Sequence, residues 1–305
     1  MHKKIEKLKK ELSKAIVGQE NLIEGLLIGL LSEGHILVEG VPGLAKTSTI
    51  NALSQALGID SKRIQFTPDM LPSDIIGTEI YNPKDHSFSI KKGAVFTHLL
   101  LADEINRAPA KVQSALLEVM QEKQVSIAEQ TFKLSPPFFV MATQNPIEQE
   151  GVYPLPQAQL DRFMMKILVS HNSHEEELEI MRRVATKAFQ TIESVLNHQE
   201  IEALQEEIQN IHIDKELEKY IIQLIVATRD TQQEHIMFGA SPRASIDLYK
   251  ARAFLRGNSF VSPADIAQVM PSVLRHRIVL SYEARAKDIS SEHIISQIIE
   301  SIPIP

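Results

Sequence analysis

"HILVEGVPGLAKTSTINAL", residues His35 to Leu53, decides how the rest of the chain is read. It joins a short apolar run, a glycine-bearing turn and a run with helical spacing. The phosphate-binding loop has the form G-x-x-x-x-G-K-[ST]. Counted from Gly40, the lysine falls at Lys46 and the hydroxyl at Thr47, while Ala45 stands where the second glycine is usual. A loop at a helix N-terminus offers unpaired N–H groups and the positive end of the helix dipole to phosphate. Lys46 then reaches the β- and γ-phosphates and Thr47 holds Mg²⁺. Gly40 and Gly43 let the backbone turn sharply and approach the ligand. The competing reading is a strand, turn and helix that carry an unrelated lysine. Ala45 keeps its N–H and suits right-handed dihedrals, so the helix is expected to have begun by that residue.

On either side, short apolar runs alternate with helical patterns. "HILVE" (His35–Glu39), "RIQFT" (Arg63–Thr67), "THLLLA" (Thr97–Ala102), "PFFVMAT" (Pro137–Thr143) and "FMMKILV" (Phe163–Val169) have the composition of buried parallel strands. Between two of them, "APAKVQSALLEVMQEK" sets Val112, Ala115, Leu116 and Val119 on one helical stripe. This alternation predicts an α/β layer fold. "TEIYNPKDHSFSIKKG" (Thr78–Gly93) and "KQVSIAEQTFKLSPP" (Lys123–Pro137) interrupt it and read as inserted hairpins. After Ser170 no strand is expected. "SHEE" (Ser173–Glu176) is a capping box that opens a helix. "QEIEALQEEIQNI" and "KELEKYIIQLIVATRD" follow with helical spacing. "SPRASIDLYKARAFLRG" offers Ser241 as cap, Pro242 as first helical residue and Gly257 as stop, and "SPADIAQVM" repeats that opening at Ser262 and Pro263. Two units are expected, 1–171 and 172–305, the second helical.

The 305 residues suffice for a large core without disulfides, and there is no cysteine to form one. The lack of cysteine fits a reducing compartment. The basic N-terminus has no signal-peptide pattern, and "GLLIGLL" is too short to cross a bilayer. A soluble cytoplasmic protein without membrane insertion is expected. The net charge of −7, with both signs mixed, argues against a surface that binds nucleic acid throughout.

Further chemistry gathers at strand ends. "HLLLADE" puts Asp103 and Glu104 at the C-terminal end of a buried strand, the edge where ligands bind in open α/β sheets. Adjacent carboxylates there are costly unless they bind something. Asp103 can hold Mg²⁺ through its water shell, and Glu104 can polarise an attacking water. The bland alternative is a solvated acidic turn. The next strand ends in "ATQNP", where Asn145 could orient that water or could be only a turn residue before Pro146. Arg162 in "LPQAQLDRF" and Arg243 in "GASPRA" are candidates to stabilise charge on a γ-phosphate, or are surface and ion-pair residues.

Taken together, "GVPGLAKT", "FTPDMLPSDIIGTEIYNP", "LLLADEINRAPAKVQSALLEVMQE", "ATQNPIEQEGVYPLPQAQLDRF" and "GASPRA" resemble the MoxR family of AAA+ ATPases, the branch with an insert in helix 2. The resemblance runs from about Val17 into the helical second half. It implies a five-stranded parallel sheet of order 5-1-4-3-2, a helical lid, and hexameric rings. It makes Thr78–Gly93 the helix-2 insert and Lys123–Pro137 the pre-sensor insert, both toward the pore or upper face of the ring. Gly40, Val41, Pro42, Gly43, Leu44, Ala45, Lys46, Thr47 and Ser48 become the nucleotide loop, with Val17, Gly18 and Gln19 near the adenine. Thr47 and Asp103 become the metal-binding pair. Asn145 matches sensor 1, and Arg162 matches an arginine finger that reaches the neighbour's ATP. Arg243 matches sensor 2, acting within its own subunit or across the interface. Arg107 lies where the family also carries arginine.

The implied activity is hydrolysis of ATP with Mg²⁺ by a chaperone-like machine that matures or activates client proteins. Partners with a von Willebrand factor A domain are implied as well. Gln157 departs from the family's usual glutamate, which puts an interface salt bridge from this position in doubt, and "KKGAVF" (Lys91–Phe96) is looser than the family pattern. No additional C-terminal domain is expected after the lid. The neighbouring alternatives are a magnesium-chelatase-like motor subunit and a nucleic-acid-remodelling ring. Against the second stand the absence of a helix-turn-helix pattern and of a basic run on the inserts beyond Lys91 and Lys92.

Overall fold

Five short strands place the candidate phosphate loop, the carboxylates and Asn145, because each strand carries a nearly unbroken apolar run or lies beside one that does. The computed structural model describes residues 2–41, 43, 46–146, 151–186, 190–230, 234–248 and 261–305. The central strands are β1 (Ile36–Glu39), β2 (Ser61–Gln65), β5 (Leu99–Asp103), β8 (Phe139–Gln144) and β9 (Met165–Leu168). They pair in parallel in the order β2-β5-β8-β1-β9. Numbered among these five alone, that is the expected 5-1-4-3-2. The strand limits differ from the sequence reading by at most two residues at each end.

Successive side chains of a strand point to opposite faces. Ile36 and Val38 of β1 accordingly join one apolar cluster, and Leu37 joins the other. The first cluster lies under helices His2–Ala15, Glu20–Leu31 and Lys46–Leu57, and takes in Leu204, Leu224, Met270 and Ile295 from the second half of the chain. The second lies under helix Ala110–Glu122, of whose expected stripe Val112, Leu116 and Val119 are buried and Ala115 is half-buried. With both faces covered, a strand has no polar side to show, so β1, β5 and β8 read as apolar runs. Helix Glu20–Leu31 is apolar almost all round and lies close against the sheet. A Cβ at Gly25 would overlap the Ile167 side chain, and one at Gly29 would come within 2.8 Å of Ile36.

Both inserts are antiparallel hairpins, β3 (Gly77–Asn82) with β4 (Ser87–Lys92), and β6 (Gln124–Ile127) with β7 (Gln130–Lys133). Tyr81 and Phe88 form an exposed cross-strand pair on the first, with ring centroids 5.1 Å apart.

The second half is helical, as expected, with one addition. Strands β10 (Ile236–Phe238) and β11 (Val279–Leu280) form a small antiparallel pair where none was anticipated. At three and two residues they are too short to show a period-2 pattern. Ser173 and Glu176 make the expected capping box, as do Ser262 and Asp265 at helix Pro263–Leu274. The helix after Ser241 differs slightly. It spans Arg243–Asp247, with Pro242 as its N-cap rather than its first residue. Gly257, the expected stop, lies outside the described residues.

Candidate functional site

Strand β1 ends at Glu39, and the loop leaves through Gly40, whose N–H donates to the Gln144 carbonyl at 3.3 Å. Glycine is required here by crowding, since a Cβ would lie 2.7 Å from the Val169 carbonyl oxygen. Gly43 is required for another reason. Its φ of 88° is left-handed, and nothing lies within 4 Å of where a Cβ would be, so the backbone there is open to a ligand. Pro42, Leu44 and Ala45 lie outside the described residues, and the helix is described from Lys46. Lys46 Nζ donates to the Gly40 carbonyl at 2.5 Å. Partial burial pulls its ammonium below the ordinary lysine range, while the carboxylates of Asp103, Glu104 and Glu39 oppose that pull.

The two carboxylates are braced from the neighbouring strands. Asp103 Oδ1 accepts from Thr143 Oγ1 at 2.6 Å, and its Oδ2 accepts from Arg63 Nη2 at 2.7 Å. The Glu104 N–H donates to the same Thr143 hydroxyl at 2.8 Å. Glu104 Oε2 accepts from Gln65 Nε2 at 2.6 Å and from Arg107 Nη1 at 3.3 Å. Glu104 itself has φ 56° and ψ 51°, a left-handed conformation that a side chain adopts at a cost. Such strain persists where the surroundings enforce it, typically at functional sites. Here the braces at its N–H and its carboxylate do so.

Asn145 is buried at the end of β8, beside β5. Gly40, Gly43, Lys46, Thr47, Ser48, Asp103, Glu104 and Asn145 line one recess of about 380 Å³, with Arg63, Gln65 and Thr143. It lies at the C-terminal edge of the sheet, has a positive helix end on one side and two carboxylates on the other, and suits a polyphosphate. Thr47 and Asp103 supply only oxygen donors, the kind a small hard cation takes.

Val17, Gly18 and Gln19 do not line that recess. They are clipped to the segment leaving β9: Gln19 Nε2 donates to the Ser170 carbonyl at 3.0 Å, and Asn172 Nδ2 donates to the Val17 carbonyl at 2.9 Å. That segment begins one residue beyond Val169, which abuts Gly40. Val41 packs at the margin of the first apolar cluster.

The two arginines lie elsewhere. Arg162 and Arg243 line a separate cleft of about 300 Å³ together with Arg277, Asp161, Asp247, Glu33, Lys123 and His35. Arg162 Nη1 donates to the Leu117 carbonyl at 3.0 Å, and Arg243 Nη1 lies 3.7 Å from Asp161 Oδ2. This cleft is at the opposite edge of the sheet. The Met164 N–H meets the His35 carbonyl where β1 and β9 begin, and the Val169 N–H meets the Glu39 carbonyl where they end. From His35 to Gly40 the strand advances about 16 Å at roughly 3.3 Å per residue. Arg162 therefore sits a full strand length from Lys46 of its own chain. Among the described residues none lines both cavities.

Two histidines beside the cleft are buried and neutral. His35 Nδ1 accepts the Val140 N–H at 3.0 Å, so Nε2 carries the proton and donates to the Met120 carbonyl at 3.0 Å. Burial pushes its pKa down to about 4. His276 Nε2 donates to the Phe163 carbonyl at 2.9 Å, and burial likewise holds it well below the usual histidine range. Gln157 donates to the His276 carbonyl at 2.7 Å, which a glutamate could do only when protonated.

Sequence reasoning missed Thr143, Gln65 and Arg63 in the recess and Arg277 in the cleft. The first three lie in or beside strands already recognised, and the strand order alone would have pointed to them. Among the described residues no helix is long and apolar enough to cross a membrane, and no cluster of three or more histidine and carboxylate side chains could hold a metal.

Residues 35–165 match the ATPase family associated with various cellular activities (AAA), and residues 228–298 match the AAA lid domain. The chain is 48% identical to Chaperone MoxR1 of Mycobacterium tuberculosis, over 97% of its own length and 81% of that protein's. It is 41% identical to the uncharacterised protein YeaC of Bacillus subtilis, over 100% and 96% of the two lengths. Protein MoxR of Methylorubrum extorquens is 29% identical over 98% and 94%. A crystal structure of a candidate ATPase from Cytophaga hutchinsonii superposes with a TM-score of 0.93 at 49% identity, covering 100% of this chain and 96% of that one.

Proposed function

The chain belongs to the MoxR branch of the AAA ATPases, and from that premise we propose that it hydrolyses ATP in a ring whose sites are each completed by the neighbouring subunit. The observation that carries this reading is the distance between its two cavities. The recess has a phosphate loop, a cation pair and a candidate base, but none of the finger arginines. The cleft has the arginines and no phosphate loop.

In the recess, the backbone from Gly40 to Ser48 and the Lys46 ammonium hold the phosphates, with Val17, Gly18 and Gln19 toward the adenine. Thr47 and Asp103 would hold Mg²⁺, which when bound neutralises phosphate charge. Glu104, oriented by Gln65 and Arg107 and fixed in its backbone by Thr143, takes a proton from the attacking water. Asn145 orients that water. Arg162 and Arg243 then act on the neighbour's γ-phosphate, where charge builds in the transition state.

We place a nucleotide-binding core at 1–171 and a lid at 172–305. Conformational change would pass from the site to the two hairpins, which face the pore or upper surface of the ring. Similarity to Chaperone MoxR1 supports a chaperone-like role. We further propose that the chain remodels a client protein in the cytoplasm, together with a partner that bears a von Willebrand factor A domain. The test is Lys46→Ala. Titration calorimetry should show ATP binding lost, and unchanged affinity would sink the site assignment.

A further inference from the structure

Arg277 is a lid residue without a motif, yet its guanidinium is the most fully engaged among the described residues. Its side chain is 1% exposed. Nε donates to Asp161 Oδ1 at 2.8 Å, and Nη2 donates to Asp247 Oδ2 at 2.7 Å and to the Phe163 carbonyl at 2.9 Å. Nη1 donates to the carbonyls of Met164 at 3.2 Å and Val273 at 3.0 Å. These partners are not scattered. Asp161 and Phe163 flank Arg162 on either side in the chain, and Asp247 closes the helix that Arg243 opens. One planar fork therefore ties together the two elements that carry the cleft arginines.

We propose that Arg277 is a positioning residue that sets Arg162 and Arg243 as one rigid pair, so that both reach a neighbour's phosphate together. The inference rests on the shared-site reading given above. The fork geometry matters, because an arginine presents five donors in a fixed plane and a lysine presents a single point charge. Charge balance matters too. Among the described residues Asp161 and Asp247 face Arg277 and Arg243, two acids against two bases. Ser241 Oγ donates to Asp161 at 2.9 Å and holds the acid in place. Without Arg277 the half-buried Asp161 lacks its nearest counter-charge, and Arg243, already 3.7 Å away, is drawn onto it. An arginine held by Asp161 is withdrawn from the neighbour's phosphate.

The test compares Arg277→Met, Arg277→Lys and Arg162→Ala, each alone and mixed with Glu104→Gln subunits. For Arg277→Met, ATP affinity by calorimetry should stay within about twofold of the parent, because the chain's own recess is untouched. Turnover should fall about ten- to a hundredfold, as misplacing a catalytic group by about 1 Å can do. Mixing with Glu104→Gln should restore turnover, as it should for Arg162→Ala, since each partner supplies what the other lacks. Arg277→Lys should not rescue, because one ammonium cannot span Asp161, Asp247 and the carbonyls of Phe163, Met164 and Val273.

Parental turnover in Arg277→Met, lost ATP affinity, or rescue of Arg162→Ala without rescue of Arg277→Met would each overturn the inference and leave the shared site standing. Failure to rescue Arg162→Ala would overturn the shared site and this inference with it. Should Arg277→Met not fold, Asp247→Asn takes its place. A severalfold fall in turnover at unchanged ATP affinity supports the role, and parental turnover rejects it.

Discussion

The phosphate recess and the arginine cleft occupy opposite edges of one sheet and are built by opposite means. The recess is held by strand ends. Thr143, Gln65 and Arg63, from β8 and β2, brace Asp103 and Glu104 at the tip of β5. It is open on the ligand side, where Gly43 faces nothing. The cleft is held from the lid, by a buried guanidinium that pins the loop before β9 and the helix from Arg243. On the proposed reading each has half of what phosphoryl transfer needs, and a strand of about 16 Å separates the halves. Catalytic completeness is then a property of two chains, and the two halves should fail in different ways.

Glu104→Gln strikes the recess hardest. Removing the proposed base should cut turnover by about 10²–10⁴ while ATP still binds, read by phosphate release and calorimetry. Turnover at the parental rate would show that another group activates the water. Acid should strike the cleft edge next. His35 lines the cleft, and among the described residues no histidine lines the recess. Its folded pKa is lowered to about 4, below the unfolded value, so the unfolded chain binds the extra proton first as pH falls. The stability it supports is complete above about pH 6.5 and is lost on the way down to about pH 4, by about 3 kcal/mol in all. Chemical denaturation followed by circular dichroism at pH 8 and pH 5 should show the loss. A flat profile would mean that His35 is not buried as described.

Thr143→Val tests the bracing of the recess. It removes one hydroxyl that serves both the Asp103 carboxylate and the Glu104 N–H. The expected cost is about 1–2 kcal/mol of stability, with turnover down about tenfold and ATP affinity little changed. Arg63→Ala should do least to stability. Its pair with Asp103 is half exposed on the arginine side, and such pairs contribute less than about 1 kcal/mol. A larger loss would mean that Arg63 has a role in the fold beyond this ion pair.

The sheet was legible because a strand covered on both faces needs an unbroken apolar run, and "HILVE", "HLLLA" and "FFVMA" are such runs. The loop and the carboxylates were legible for a related reason: they follow those runs directly, so their edge of the sheet is set by chain direction. Arg162 precedes its strand and falls at the other edge by the same rule. Arg243 was not placed by any local pattern, since its position depends on how the lid packs against the loop before β9. Thr143 and Gln65 look like ordinary strand residues until the order β2-β5-β8 brings them beside Asp103 and Glu104. Arg277, a cation within the apolar "VLRHRIVL", signals a buried pair but not its partners, which are 30 and 116 residues away.

The separation of the two half-sites is tested most directly by mixing inactive subunits. Arg162→Ala retains Glu104 but lacks the finger, and Glu104→Gln retains the finger but lacks the base. Phosphate release should be close to background for each alone and should rise well above both on mixing, as the Arg162→Ala recess meets an intact neighbouring arginine. No rise at any mixing ratio, with both variants binding ATP and assembling, would contradict a site shared between chains.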